Sequence, residues 1–227
     1  MKLTPYSLLK TTSRMKIKIE QLVPHPLKDF GFNESDIWKN NYTFSSNEIY
    51  QIVAHSGVGK STLINILYGD RKDYDGNVYF DDINIKKINL NEWTKIHRNQ
   101  LAYVFQGLHL FEELTLMENI QLKNVLTNHQ TEEQIIKWIT EVGLEKHLHQ
   151  KAVHLSYGQR QRIAVIRAIC QPFDFLLLDE PFSHLDEENQ KVLLDLIISE
   201  ATKNNAGILF TSLHEIHDKR LKNVIKL

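Results

Sequence analysis

The sequence predicts an α/β fold built on a parallel β-sheet, with helices inserted between its strands. Residues 175–178 (Phe-Leu-Leu-Leu) are apolar without interruption, which is typical of a parallel strand that is buried on both faces. A glycine-rich loop at residues 54–62 lies between a strand-like run and a helical run, so a strand–loop–helix unit is expected there. A length of 227 residues allows one such domain with an insertion.

Hydrophobic patterning places the other elements in order along the chain. An alternating segment that begins at Met15 is the first predicted strand, because alternation is the mark of a half-buried strand. Further strands are predicted at 48–53, 76–80, 101–105, 173–178 and 207–212, and helices at 60–68, 132–142, 159–170 and 187–203. Residues 1–14 are predicted to be a poorly ordered lead. Residues 15–227 form one predicted domain, and about 107–170 form a helical subdomain inserted in it.

Composition excludes several classes of protein. The formal net charge is −1, from 27 basic and 28 acidic residues, so no electrostatic case for nucleic-acid binding exists. The single cysteine, Cys170, rules out an internal disulfide framework and suits a reducing compartment. No apolar run approaches the ~18 residues that a membrane span needs, and no signal peptide is recognised. We therefore expect a cytoplasmic protein.

The glycine-rich loop has the residues of a phosphate-binding loop. Gly57 and Gly59 allow the backbone N–H groups to approach phosphate oxygens closely, and the helix that follows adds its positive dipole end. Lys60 supplies a charge for the β- and γ-phosphates, and the Ser61 hydroxyl is placed to ligate Mg²⁺. The loop thus predicts a nucleoside-triphosphate site formed by Ala54, His55, Ser56, Gly57, Val58, Gly59, Lys60, Ser61 and Thr62.

Two carboxylates follow the buried strand at residues 175–178. Asp179 and Glu180 lie at its carboxyl end, where ligands bind in open α/β sheets. Asp179 is placed to hold Mg²⁺, directly or through water, and Glu180 to orient or deprotonate an attacking water. Together with the phosphate loop they predict hydrolysis of the bound nucleotide.

A third motif precedes that strand by about twenty residues. The run Leu-Ser-Tyr-Gly-Gln at 155–159 opens a predicted helix, in which Ser156 is a good N-cap and Gly158 leaves the helix start open to an anion. This run resembles the L-S-G-G-Q signature of the ATP-binding-cassette (ABC) ATPases and stands at that family's place in the chain. The resemblance assigns Ser156, Tyr157, Gly158 and Gln159 to nucleotide binding.

Other landmarks of the same family follow in order, so that the resemblance covers residues 15–227. Gln106 matches the family's Q-loop glutamine, a Mg²⁺ and water ligand. Asp186 in Ser-His-Leu-Asp is similar to the family's D-loop aspartate, which faces the opposite subunit. His214 resembles the switch histidine after the last core strand. The family's adenine-stacking aromatic lies upstream of the loop, where Phe30, Phe32 and Trp38 are candidates and Phe32 is favoured.

Several residues depart from the family pattern. Ala54 replaces the first glycine of the phosphate loop, which is compatible with the loop if its φ stays negative. Asn47 and Asp81-Asp82 stand where Gly-Glu and Asp-Gly turns are usual, and both residue types tolerate left-handed turns. Tyr157 replaces a signature glycine, and its ring is expected to swing aside onto a partner subunit or the nucleotide.

The resemblance implies a RecA-like core with an N-terminal antiparallel β subdomain and a helical subdomain. It also implies an ATP- and Mg²⁺-dependent ATPase that works as a head-to-tail homodimer. The partner would be a transmembrane permease that holds the protein at the inner face of the cell membrane. The alternative is a soluble ABC ATPase that acts on a non-membrane assembly.

The segment after Gln106 is similar to the L-T-x-x-E-N-V stretch of ATPases that serve lipoprotein-release and macrolide-export systems. Its apolar residues are Leu108, Leu110, Phe111 and Leu114. Two roles are open for them: lining a groove for a partner's coupling helix, or packing in the core of the helical lobe.

Overall fold

The computed structural model describes residues 15–29 and 35–227, and it contains two β-sheets. The larger sheet is parallel, with strand order β6-β7-β8-β3-β9. The smaller sheet is antiparallel, with order β2-β1-β4-β5. The parallel sheet and its helices form the predicted RecA-like α/β core, and the antiparallel subdomain near the N-terminus is present as well.

The model contains nine strands and six α-helices within the described residues. The strands are β1 (Lys16–Pro24), β2 (Asn41–Ser45), β3 (Ile49–Val53), β4 (Tyr74–Phe80), β5 (Ile83–Asn84), β6 (Leu101–Val104), β7 (Phe175–Leu178), β8 (Gly207–Ser212) and β9 (Asn223–Lys226). The helices are α1 (Lys60–Tyr68), α2 (Leu90–Asn99), α3 (Leu116–Asn124), α4 (Glu132–Glu141), α5 (Tyr157–Ile169) and α6 (Glu187–Asn204).

Two apolar clusters fill the interior on either side of the parallel sheet. One lies between the antiparallel sheet, α1 and α2, and includes Phe44, Phe80 and Trp38. The other joins α3, α4, α5 and α6 to the opposite face of the sheet and includes Trp138 and Phe210. All four residues of β7 are buried, as its uninterrupted apolar run predicts. No helix within the described ranges is both long and apolar enough to cross a membrane.

Helices α2 and α3 are structural features that the periodicity analysis missed. Each begins with a reciprocal capping box, Asn89 with Glu92 and Thr115 with Glu118, in which two otherwise unpaired N–H groups of the helix start are satisfied. These N-x-x-E and T-x-x-E patterns are the signals that would have found them. Strands β2, β5 and β9 were missed too. The predicted lead at residues 1–14 lies outside the described residues.

A close backbone approach makes Gly76 in β4 a sensitive position. Strand β1 is bulged between Glu20 and Val23, with Gln21 at φ 50°. A Cβ on Gly76 (φ +83°) would meet the Gln21 carbonyl oxygen at 2.3 Å. Gly57 has nearly the same φ, +84°, and a Cβ there would meet nothing within 4 Å.

The matched pair Gly76→Ala and Gly57→Ala therefore separates backbone strain from the steric clash. Gly57→Ala is expected to lower the free energy of unfolding by about 1–2 kcal/mol, the cost of a left-handed L-residue. Gly76→Ala is expected to cost at least about 2 kcal/mol more, because the carbonyls of β1 must move. Urea unfolding of both variants measures the difference. Equal losses of stability in the two variants would mean that the backbone of β1 moves aside without a measurable cost in free energy.

Candidate functional site

The glycine-rich loop forms the floor of a cavity at the carboxyl end of the parallel sheet. The cavity has a volume of about 220 Å³ and is lined by Ser56, Gly57, Gly59, Lys60, Ser61, Thr62, Gln106 and Glu180. It thus brings together residues from three predicted motifs that lie far apart in the sequence. The loop links β3 to α1, as expected, and Ala54 is not among the residues with positive φ.

Lys60 is the buried cation of this cavity. Its side chain is 4% exposed, and its Nζ donates hydrogen bonds to the carbonyl oxygens of Ala54 (2.8 Å) and His55 (3.1 Å). The same Nζ lies 3.1 Å from Glu180 Oε1. The ammonium group is therefore held between the first carbonyl groups of the loop and the carboxylate of Glu180.

Three oxygen-bearing side chains meet beside Lys60. The Ser61 hydroxyl lies 3.5 Å from Gln106 Oε1, and it also hydrogen-bonds to Asp179. Asp179 is 3% exposed. Burial raises the pKa of the Asp179 carboxyl, whereas the hydrogen bonds from Ser61 and Thr211 oppose that rise. A cation bound here would further favour the ionised carboxylate.

Thr211 is a site residue that the sequence analysis missed. It is fully buried near the end of β8, and its Oγ1 donates to Asp179 Oδ1 (2.7 Å) and accepts from the Glu180 N–H (2.9 Å). One hydroxyl thus fixes both carboxylate-bearing residues. The available signal was a polar residue within an apolar strand that ends at the same sheet edge as β7.

Glu180 is held in an unusual backbone conformation. Its φ is +51°, in the left-handed region that non-glycine residues rarely adopt. The buried Gln161 donates from Nε2 to the Glu180 carbonyl oxygen at 2.9 Å, and Thr211 holds its N–H. Strained residues of this kind persist only where the surroundings fix them, and they are concentrated at functional sites.

His214 lies in a second cavity beside the first. This cavity has a volume of about 450 Å³, and Glu180, Ser183 and His214 are among its lining residues. Gln51 in β3 donates from Nε2 to the His214 carbonyl oxygen (3.1 Å) and to Ser212 Oγ (2.9 Å). Glu180 lines both cavities, so the structure brings the predicted switch histidine close to the predicted catalytic carboxylate.

The signature residues lie outside the phosphate-loop cavity. Ser156 is the N-cap of α5 and forms a capping box with Gln159. Asp186 is the exposed N-cap of α6, where hydrogen bonds from Asn189 hold the pKa of its carboxyl below its usual range. A Cβ on Gly158 would meet the His184 carbonyl oxygen at 2.9 Å, so α5 packs closely on the loop before α6.

The Tyr157 side chain contacts its own chain, and its expected position on a partner subunit or the nucleotide stays a prediction. In this single chain its hydroxyl donates to the Gln106 carbonyl oxygen at 2.8 Å, and its ring lies against His184. Among the aromatic candidates for adenine stacking, Phe30 and Phe32 fall outside the described residues. Trp38 is 1% exposed and packs in the core beneath the loop.

The apolar residues after Gln106 divide between the two roles that the sequence leaves open. Leu108 is buried in the core, and Leu110 packs against it. Phe111 is 59% exposed and lines a groove of about 220 Å³ with Tyr68, Tyr103, Phe105, Leu122, Lys123, Arg167 and Ala168. The groove is thus formed by four aromatic residues, of which three are partly buried, together with two residues each of α3 and α5.

The fold and the cavity define a P-loop nucleoside-triphosphate-binding protein with two carboxylates at the phosphate end. The sequence profile of the ABC transporter family matches residues 39–183. The chain belongs to the ABC transporter family and is one of its ATP-binding, ATP-hydrolysing subunits.

Individual relatives agree with this assignment. The chain is 33% identical over 176 residues to the lipoprotein-releasing system ATP-binding protein LolD of Buchnera aphidicola subsp. Schizaphis graminum, covering 76% of this chain and 75% of the relative. It is also 33% identical over 212 residues to the phosphonates import ATP-binding protein PhnC of Fusobacterium nucleatum subsp. nucleatum, covering 88% and 83%.

A solved structure supports the fold in the same way. The dimeric post-hydrolysis structure of the ATP-binding cassette MJ0796, bound to ADP and Pi, superposes with a TM-score of 0.76 at 26% identity. The match covers 93% of this chain and 94% of that structure. The predicted resemblance to the lipoprotein-release type and the predicted RecA-like fold are both confirmed.

Proposed function

We propose that this chain powers a membrane transporter by ATP-dependent head-to-tail dimerisation with a second copy of itself. The observation that carries the proposal is the cavity that joins the phosphate loop, Gln106 and Glu180. The relatives that support it include the ATP-binding proteins of a lipoprotein-releasing system and of a phosphonate import system. Because these systems transport different substrates, the proposal covers the class of transporter and not its substrate, which the permease selects.

In this proposal the loop N–H groups and Lys60 hold the β- and γ-phosphates of ATP. Ser61, Gln106 and Asp179 offer a hydroxyl, an amide oxygen and a carboxylate, the hard oxygen donors that suit Mg²⁺ alongside phosphate and water. Bound there, Mg²⁺ would neutralise charge on the phosphates. The contacts of Ser61 with Gln106 and with Asp179 are already present in the structure.

Glu180 is proposed to orient and deprotonate the attacking water. Its carboxylate borders the phosphate cavity on one side and the His214 cavity on the other. His214 is proposed to contact the γ-phosphate side of that water. Phe32 remains our proposal for the adenine contact, upstream of the loop.

The signature segment is proposed to complete the site of the second copy. Ser156 and Gly158 stand at the start of α5, a helix of 13 residues, where the dipole and free N–H groups favour an anion. The exposed Asp186 is proposed to face the opposite subunit with them, together with Tyr157 and Gln159. The dimeric MJ0796 cassette bound to ADP and Pi supports the proposal that this fold dimerises with nucleotide bound.

The groove lined by Phe111 is proposed as the docking surface for the partner, a transmembrane permease. Phe111 and Leu122 are 59% and 44% exposed, although apolar side chains gain by burial. Burial lowers the pKa of both Lys123 and Arg167. Among the described residues that line the groove, none is acidic. A short amphipathic segment of a permease with one carboxylate fits this surface and would hold the chain at the inner face of the membrane.

Introducing a negative charge into the groove tests the partner. Phe111→Glu and Leu122→Glu are expected to abolish co-purification of a multi-span membrane protein from detergent-solubilised membranes, because a buried carboxylate would oppose the apolar contact. Leu90→Glu is the control, since Leu90 is 81% exposed on α2. Mass spectrometry identifies the partner. Retention of a multi-span protein by both groove variants would contradict the proposal, and a soluble partner lost by them would favour the alternative.

A further inference from the structure

The Tyr157 side chain connects three segments of its own chain. Its hydroxyl donates to the Gln106 carbonyl oxygen at 2.8 Å. Its ring centroid lies 4.2 Å from that of His184, in the loop before α6, and 5.6 Å from the Arg160 guanidinium on α5. The glycine that usually stands at this place in the signature has no side chain to make any of these contacts.

The loop that Tyr157 holds has an unfavourable backbone conformation. Leu108 and His109 both have positive φ, 59° and 47°, which L-residues rarely adopt. Arg167, near the other end of α5, donates to the carbonyl oxygens of Leu108 (2.6 Å) and His109 (2.7 Å). Helix α5 therefore holds the loop at two points, with Tyr157 at its start and Arg167 near its end.

The residue that Tyr157 holds is itself part of the site. The backbone of Gln106 accepts the Tyr157 hydrogen bond, while its side-chain Oε1 lies 3.5 Å from the Ser61 hydroxyl. A displacement of the Gln106 carbonyl would therefore carry the amide oxygen away from the phosphate end of the cavity. Small misplacements of such groups reduce reaction rates strongly.

We propose that Tyr157 is a positioning residue, whose hydroxyl fixes Gln106 for ATP hydrolysis within the same chain. This inference rests on the proposed function of the site. Because the hydroxyl acts on a group beside the reacting phosphate and not on the loop that holds the nucleotide, its loss should lower kcat and leave KM for ATP nearly unchanged.

The test compares Tyr157→Phe, which keeps the ring, with Tyr79→Phe. Tyr79 in β4 also has a hydrogen-bonded hydroxyl, with Glu20 as its partner, but it lies in the antiparallel sheet. Tyr157→Phe is expected to lower kcat for Mg-ATP by roughly three- to tenfold, the effect of one hydrogen bond. KM should stay within about twofold. Hydrogen–deuterium exchange of peptides that span residues 105–110 should become faster by a similar factor. Tyr79→Phe should change none of these quantities.

Several results would overturn the proposal. Unchanged hydrogen–deuterium exchange of residues 105–110 together with an unchanged kcat in Tyr157→Phe would show that the hydroxyl does not stabilise this loop. Faster exchange with an unchanged kcat would show that the loop is ordered without positioning Gln106, and a change in KM alone would indicate a binding role. Failure of the proposed function gives a different result, because the wild-type chain would then form no dimer with Mg-ATP or retain no multi-span partner, whatever the ratio of kcat between Tyr157→Phe and the wild type.

Discussion

Glu180→Gln is expected to lower the rate of ATP hydrolysis by about 10²–10⁴-fold, while ATP binding survives. The amide keeps the size of the carboxylate but cannot accept a proton from water. The backbone restraints from Thr211 and Gln161 involve only the main chain of residue 180, so they persist in the variant. Steady-state hydrolysis and equilibrium binding of Mg-ATP measure the two quantities separately.

The same variant should accumulate the ATP-bound dimer. Without hydrolysis the nucleotide stays between the two copies, so size-exclusion chromatography should show a dimer with Mg-ATP and a monomer without nucleotide. Glu187→Gln is the matched control, because Glu187 is another carboxylate that lines the His214 cavity. Wild-type turnover in Glu180→Gln, or an equal loss in Glu187→Gln, would show that Glu180 does not activate the water.

Features fixed by local chemistry could be predicted from the sequence. The apolar run of β7 and the strand–loop–helix around Lys60 are both encoded in short segments, and both are present. Asn47 and Asp81 have φ of 69° and 51°, the left-handed turns that their residue types predict. The oxygen donors converge because the carboxyl ends of parallel strands meet at one sheet edge.

Features that depend on tertiary contacts could not be predicted. Thr211 lies 31 residues beyond Glu180 in the chain, and only the pairing of β7 with β8 brings its hydroxyl to both carboxylate-bearing residues. The orientation of the Tyr157 side chain depends on its hydrogen bond to the carbonyl oxygen of Gln106, which lies 51 residues away in the chain. The groove likewise combines residues of four separate elements with residues of the loop after β6. A single apolar stretch after Gln106 therefore predicted the location of the groove but not most of the residues that line it.

Lys60→Met is expected to weaken binding of ATP and of ADP by roughly 10- to 100-fold, because a charge-assisted hydrogen bond is lost. The structure adds a second effect. Lys60 Nζ is the cation 3.1 Å from Glu180 Oε1, whose side chain is 15% exposed. Its removal leaves that carboxylate without its counter-ion, so the free energy of unfolding should fall by roughly 1–3 kcal/mol. Titration calorimetry and urea unfolding measure the two effects.

The double variant Lys60→Met/Glu180→Gln separates these two roles of Lys60. Neutralising residue 180 removes the unpaired charge, so the double variant should regain most of the lost stability, a coupling that a double-mutant cycle quantifies. Its affinity for nucleotide should stay low, because no cation is left to meet the phosphates. If affinity recovered together with stability, Lys60 would act on nucleotide binding by neutralising Glu180, and direct contact of Lys60 with the phosphates would be the wrong explanation of its effect on binding.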